Sequence, residues 1–357
     1  MALNRTFKEK SIGFQNLRVN IVHNKKSRDL FRHIITPFNR VRPSSVLVVL
    51  LCLFILQGCG APPPPLKVGS NVWPGYESLY LARSKGFLDD RQIALIEKSN
   101  ATQVLRDFKA GLLDAAAVTM DEALTLLANG QDIKIVAIMD YSYGADALMV
   151  KPEIARLEDL KGKTILVEKT AVGAILLQSA LDTVDLNAHQ VIVQSLPVNQ
   201  HLSAWLADDV SAIVTFEPVK TLLALKGGHV LFDSSKIPRR IMDVLVVRSD
   251  ITEQRPDQIK ELLKAHFKAL AFMAEERTES ALILSQRLNI QPDTVWESFS
   301  GLHIPNLKEN QRLLSSSEEL QIQVAQLKRL MLNRNLLSRD VNTNMSLFSA
   351  DFLPKGL

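Results

Sequence analysis

From residue 66 onward the chain alternates short apolar runs with longer stretches of helical period. Leu66–Ser70, Ile93–Glu97, Ala115–Thr119 and Ile133–Met139 read as strands, because each is a brief apolar run bounded by turn-forming residues. Gly75–Lys85, Thr102–Lys109 and Asp121–Asn129 read as helices, closed by Gly86, Gly111 and Gly130. A glycine just past the last helical residue lets the chain leave in the left-handed conformation. The same alternation continues with strands at Ala147–Val150, Thr164–Glu168, Val191–Gln194, Ala212–Thr215, Val230–Phe232 and Val244–Val247. Helices are expected at Gly173–Thr183, Asn199–Leu206 and Val219–Leu225, with a turn at Leu157–Leu160; from Pro256 onward the pattern is helical with no strand. Strand–helix alternation over short loops predicts an α/β fold of mostly parallel sheets flanked by helices. A folded part of about 290 residues is long enough to divide into two lobes.

One unit recurs within this pattern. Val118-Thr119 and Val214-Thr215 each end an apolar strand, and each is followed after five residues by Thr-Leu-Leu-Ala, at 125–128 and 221–224. An acidic loop residue, Asp121 or Glu217, precedes each helix. The two copies lie 96 residues apart, too far for a solenoid repeat. The spacing fits two similar lobes, or two buried strand–helix units alike by chance.

The segment before residue 66 has a different character. Val46–Leu56 is an apolar run of eleven residues, short of the ~20 needed to cross a bilayer and of the length of a signal-peptide core. Arg40 and Arg42 precede it, and Gln57-Gly58-Cys59 follow. Leu56-Gln57-Gly58-Cys59 resembles the lipobox of bacterial lipoproteins, which implies that Cys59 becomes the acylated first residue of the mature chain. The alternatives are a retained anchor or a buried core helix. Pro62–Pro65 then form a stiff extended tether. Residues 1–39 are consistent with a cytoplasmic extension or with an over-called start.

Charge supports a cut there. Residues 1–58 carry ten basic and two acidic side chains, a net +8, against +4 for the whole chain, so residues 59–357 carry −4. The basic character lies in the leader, which argues against nucleic-acid binding. Cys52 and Cys59 are the two cysteines of the sequence, so the folded part has neither a disulfide framework nor a cysteine metal site. The seven histidines form no metal-like pair, and no cofactor or metal is expected.

Several motifs then occur in a familiar order. Asn71-Val72-Trp73-Pro74-Gly75-Tyr76-Glu77-Ser78 is followed by Phe108-x-x-Gly111-x-x-Asp114-Ala115, Asp140-x-Ser142-x-Gly144-Ala145-Asp146, Leu157-x-Asp159-Leu160-x-Gly162-Lys163 and Phe216-Glu217-Pro218. Together they resemble the periplasmic substrate-binding proteins of the nitrate/sulfonate/taurine type, whose relatives bind thiamine-precursor pyrimidines. The likeness spans about Leu66–Leu353. It departs at Asp208-Asp209-Val210-Ser211-Ala212, where a second G-x-x-D-A would stand.

The resemblance implies a type II periplasmic-binding-protein fold, two α/β lobes joined by two crossing strands near Tyr141–Ala145 and Lys236–Ile241. Lobe one would comprise 66–142 and 241–357, and lobe two 143–240. It further implies a monomeric, lipid-anchored protein of the cell envelope. Such a protein captures a small solute by hinge closure, without catalysis, and delivers it to the permease of an ABC importer. A ligand-sensing partner of a membrane signalling protein is an alternative. The C-terminal helical region Leu307–Leu336, with Leu313, Leu320, Val324, Leu327 and Leu330, would face such a partner or pack on lobe one. A pyrimidine-synthase-like enzyme is a third reading, but those relatives carry a cysteine-rich motif that this chain lacks.

In open α/β sheets ligands bind beyond the carboxyl ends of the strands. That rule selects the loops Asn71–Tyr76, Thr119–Asp121, Lys169–Gly173 and Thr215–Glu217, each preceding a helix whose N–H groups point toward the cleft. Trp73 and Tyr76 are expected to stack on a planar ligand or to pack into lobe one. Thr119 is a donor or the first residue of a capping box with Glu122. Asp140 and Ser142 bind ligand or order the hinge. Thr170 and Gly173 cradle a ligand group, or Thr170 is a plain N-cap. Phe216 and Glu217 line the cleft, or Glu217 serves the helix dipole, with Pro218 at the first helical position. These loops are rich in aromatics and carboxylates, with Lys169 as their single basic residue. The balance favours a nitrogen-containing, planar or cationic solute.

Overall fold

The computed structural model describes residues 63–168, 170–207, 210–316 and 318–356. The leader, the apolar run, Cys59, Lys169 and the Asp208-Asp209 departure lie outside the described residues. Eleven strands are present among the described residues: β1 (Leu66–Ser70), β2 (Ile93–Glu97), β3 (Ala115–Thr119), β4 (Ile133–Ser142), β5 (Asp146–Val150), β6 (Thr164–Val167), β7 (Ile192–Ser195), β8 (Ala212–Phe216), β9 (His229–Asp233), β10 (Met242–Arg248) and β11 (Leu302–His303).

They form two sheets. The first has the order β11-β4-β10-β3-β1-β2, the second β7-β6-β8-β5-β9. In the first, β1 runs parallel to β2 and β3, while β10 is antiparallel to both β3 and β4. In the second, β6 runs parallel to β7 and β8, while β5 is antiparallel to β8 and β9. Apart from the two-residue β11, the two sheets have one topology, with a single reversed strand in the same place. The recurring Val-Thr units lie at the ends of the equivalent strands β3 and β8, where β8 runs one residue further, to Phe216. Central strands β3, β5 and β10 are buried on both faces, which is why they read as unbroken apolar runs rather than alternating ones.

The chain leaves the first sheet at Ser142, builds the second from Asp146 to Asp233, and returns at Met242. Hydroxyls knit the two crossings together. Ser142 Oγ lies 2.8 Å from Ser234 Oγ, the Gly144 N–H donates to Ser234 Oγ (2.6 Å), and the Asp146 N–H donates to Ser142 Oγ (3.1 Å).

Three differences from the sequence reading have local causes. The helix expected from Gly75 opens as a 3-10 turn, Pro74–Tyr76, before the α-helix Glu77–Ser84. Pro218 caps its helix, which starts at Val219 and not at the proline, and the Glu217–Pro218 peptide is cis. The helical C-terminal part contains the short β11, because Leu302 and His303 pair with the end of β4. The helix Glu318–Asn333 packs on the helix Met120–Ala128 of the first lobe, burying Leu320, Val324 and Leu327. No helix among the described residues is long and apolar enough to cross a membrane.

Candidate functional site

Both sheets present the carboxyl ends of their parallel strands to one small, partly open cavity of about 30 Å³, room for little more than water. The loop after β1 supplies Asn71, Trp73 and Tyr76 to its wall. Trp73 is fixed from behind, since its indole N–H donates to Asp140 Oδ2 at 2.9 Å. The turn admits no side chain at Gly75, where a Cβ would stand 1.7 Å from that same carboxylate oxygen. Tyr76 donates its phenolic hydrogen to Asp243 Oδ1.

The end of β3 contributes Thr119, and the helix that follows contributes Glu122. Glu122 Oε2 accepts from the Thr119 N–H at 3.0 Å within the expected capping box. Beside them lies Asp243 of β10, paired in register with Thr119 on one side and Asp140 on the other. Because β10 is reversed, its beginning lies at the edge where its neighbours end.

The second lobe supplies Asp146, Thr170, Val172 and Phe216. Asp146 opens the reversed strand β5 and pairs with Phe216, the last residue of β8. Phe216 meets Trp73 edge-on across the lobes, with ring centroids 5.6 Å apart and planes at 81°. Thr170 precedes the helix Ala171–Asp182 but makes no capping hydrogen bond, and it lines the cavity. Further contacts hold the lobes together. Asn100 Nδ2 donates to Asn199 Oδ1 (3.1 Å), and both the N–H and the hydroxyl of Thr102 donate to Glu168 Oε1 (3.2 Å each).

Trp73, Tyr76, Thr119, Thr170 and Phe216 therefore meet at one cavity. The other expected residues sit behind it. Asp140 orients Trp73, and Ser142 belongs to the hydroxyl knot at the crossings. Gly173 lets its helix approach β6, since a Cβ there would stand 2.3 Å from Val167 Cγ2. Glu217 turns inward, accepting from the Thr221 N–H (3.0 Å) and pairing with Lys220 (3.2 Å). Asn71, Glu122, Asp146 and Asp243 line the cavity without having been singled out from the sequence. Asp146 and Asp243 reach it because a reversed strand within a parallel sheet brings its first residues, not its last, to the binding edge.

The electrostatics are lopsided. Burial pushes the carboxyls of Asp140 and Asp146 up to about 7 and that of Asp121 up to about 6. Burial, reinforced by the charge of Asp121, pushes Glu122 up to about 8. Burial, with Asp140 beside it, holds Asp243 well above the carboxylate range. No Lys, Arg or His lines the cavity among the described residues. Nor, among them, does any group of three or more His, Cys, Asp or Glu converge as metal ligands would.

The NMT1-like family model matches residues 60–288. The chain belongs to the NMT1-like family. Among its curated relatives is a Bacillus subtilis (strain 168) protein named for binding aliphatic sulfonates, 25% identical over 255 residues, 67% of this chain and 77% of the relative. A taurine-binding periplasmic protein of Escherichia coli (strain K12) is 31% identical over 128 residues, 35% of this chain and 40% of the relative. Among solved structures, the alkanesulfonate-binding protein SsuA of Xanthomonas axonopodis pv. citri superposes with a TM-score of 0.68 at 19% identity, covering 79% of this chain and 97% of its own. The desulfurization enzyme DszB superposes with a TM-score of 0.61 at 17% identity, covering 81% and 97%. The fold is thus the two-lobed periplasmic-binding-protein fold, and proteins that bind and a protein that catalyses both use it.

Proposed function

We propose that this chain is an extracytoplasmic solute-binding protein that captures a small molecule between its lobes and hands it to the permease of an ABC importer. The observation that carries this reading is the cavity walled by the binding edges of both sheets, where Trp73 and Phe216 meet edge-on from opposite lobes. A solute touching both walls favours the closed arrangement over the open one by its differential affinity. Kinship with named binding proteins supports the reading. The lipobox-like Leu56–Cys59 supports lipid anchoring at Cys59, followed by the proline tether.

Two measurements test this. A thermal-shift screen of the full chain against small nutrients should find at least one solute that raises Tm and is recovered chemically unchanged by mass spectrometry. A recovered product of altered mass would instead favour an enzyme on this fold. Cys59→Ser should move the protein from the membrane to the soluble fraction; unchanged fractionation would rule out the anchor.

A further inference from the structure

We propose that the cavity selects small organic cations, ammonium or amidinium in type, through the paired carboxylates Asp146 and Asp243. The inference rests on the solute-binding reading and narrows it to a substrate class.

The two residues occupy equivalent places. Each lies at the start of the one reversed strand of its sheet, and each pairs in register with the final residue of a parallel strand, Asp146 with Phe216 and Asp243 with Thr119. They are 6% and 2% exposed, and each retains one carboxylate oxygen, Oδ2, with no hydrogen-bond partner. Glu77, Asp121, Asp140 and Glu168 also keep a buried oxygen without a partner, but of these carboxyls Asp146 and Asp243 are the two that line the cavity, one from each lobe.

Some of the backbone donors an anion would need are already engaged. Helix N-termini bind anions through their free N–H groups. In this molecule its own carboxylates take some of them: Glu122 accepts from the Thr119 N–H, Glu168 from the Thr102 N–H and Glu217 from the Thr221 N–H. Lys220 is committed to Glu217. Beside the hydroxyls of Thr119 and Thr170, the cavity offers a ligand unpartnered carboxylate oxygens and ring faces, the setting in which a cation gains both charge pairing and cation–π attraction.

The test is isothermal titration of the full chain in mild detergent. The cationic probes are choline, 1,4-diaminobutane and ethylguanidinium; ethanesulfonate and taurine are the comparison. At least one cation should give saturable heat, and ethanesulfonate none. Asp146→Asn and Asp243→Asn should each weaken cation binding at least tenfold while raising the Tm of the ligand-free protein, because the variant keeps the shape and removes a buried ionisable group. A merely structural carboxylate would lower Tm and leave affinity unchanged, and that result overturns the proposal. Binding of ethanesulfonate without any cation overturns it too, but leaves the solute-binding reading standing. Heat from neither class, together with no Tm shift across the nutrient screen, sinks both.

Discussion

The two lobes share a topology but not a chemistry. At the end of β3, Thr119 and Glu122 face the cavity; at the equivalent end of β8, Phe216 faces it while Thr215 and Glu217 turn inward. Thr215 is tied to the buried His201 (3.0 Å), and Glu217 to Thr221 and Lys220. The first lobe therefore brings most of the polar wall, and the second brings a ring, a helix start and one carboxylate. The contrast teaches that a fold unit used twice fixes where side chains can meet a ligand, whereas individual residues decide which of them do.

The comparison breaks most severely at Arg287. This side chain lies over the Tyr80 ring (3.4 Å to the centroid), pairs with the fully buried Glu77 and reaches Glu97. Burial lowers its pKa to about 9. Arg287→Met leaves Glu77 uncompensated and should cost about 3–5 kcal/mol in urea denaturation. Adding Glu77→Gln should recover part of that loss; no recovery would show that the buried charge is not the cause.

A matched pair of glycines sharpens the comparison at smaller cost. Gly75 follows β1 and Gly173 follows the equivalent β6. Gly75→Ala drives a methyl into Asp140 Oδ2, so it should cost about 1–3 kcal/mol and shift Trp73 fluorescence as the indole loses its partner. Gly173→Ala meets the end of Val167, and the clash is offset by about 1 kcal/mol of helix propensity. It should destabilise less and leave the tryptophan spectrum unchanged. Equal effects from both would erase the distinction drawn between the lobes.

The smallest effect expected is on pH dependence. Asp140 and Asp146 reach about 7, Asp121 about 6 and Glu122 about 8, all above their unfolded values near 4, and Asp243 is raised with them. These carboxyls therefore hold more protons in the folded than in the unfolded state between about pH 4 and pH 8, and their contribution to stability falls as pH rises through that window; the buried His201 and His266, lowered to about 4 and about 3, oppose them below about pH 6.5. Around these groups stand Tyr76, Glu168, Glu217 and Lys220, of which Lys220 is the cation and is already paired. Melts of the ligand-free protein should show Tm a few degrees lower at pH 8 than at pH 5. Asp146→Asn should flatten the slope, and a flat wild-type profile would contradict the assignment.

Much of this architecture was legible from the chain. The runs at 66–70, 93–97 and 115–119 gave β1, β2 and β3 at their observed limits, because each is a short apolar segment between turn residues, the half-buried edge strand β2 included. β4 outran its apolar run by three residues. Pairing of Met242 with Tyr141 and of Asp243 with Asp140 extends it through polar positions that hydropathy alone does not join. The aromatic loop 71–76 and the Thr119 and Phe216 strand ends were visible because loops after parallel strands face the ligand edge. Asp243 was not, since it stands just before an apolar run and reaches the cavity only because that strand is reversed and inserted more than a hundred residues later. Asp146 lay inside a quoted motif, yet nothing local marks it as wall rather than hinge.

That reversal has a mechanical side. Asp146 and Asp243 stand at the starts of strands of different sheets, and the charge of Asp146 raises the proton affinity of both Asp243 and Asp140. When both are ionised they repel one another across the two sheets, and under the proposed hinge motion that repulsion acts as a spring loaded toward opening. A proton slackens that spring, and a bridging positive charge reverses its pull.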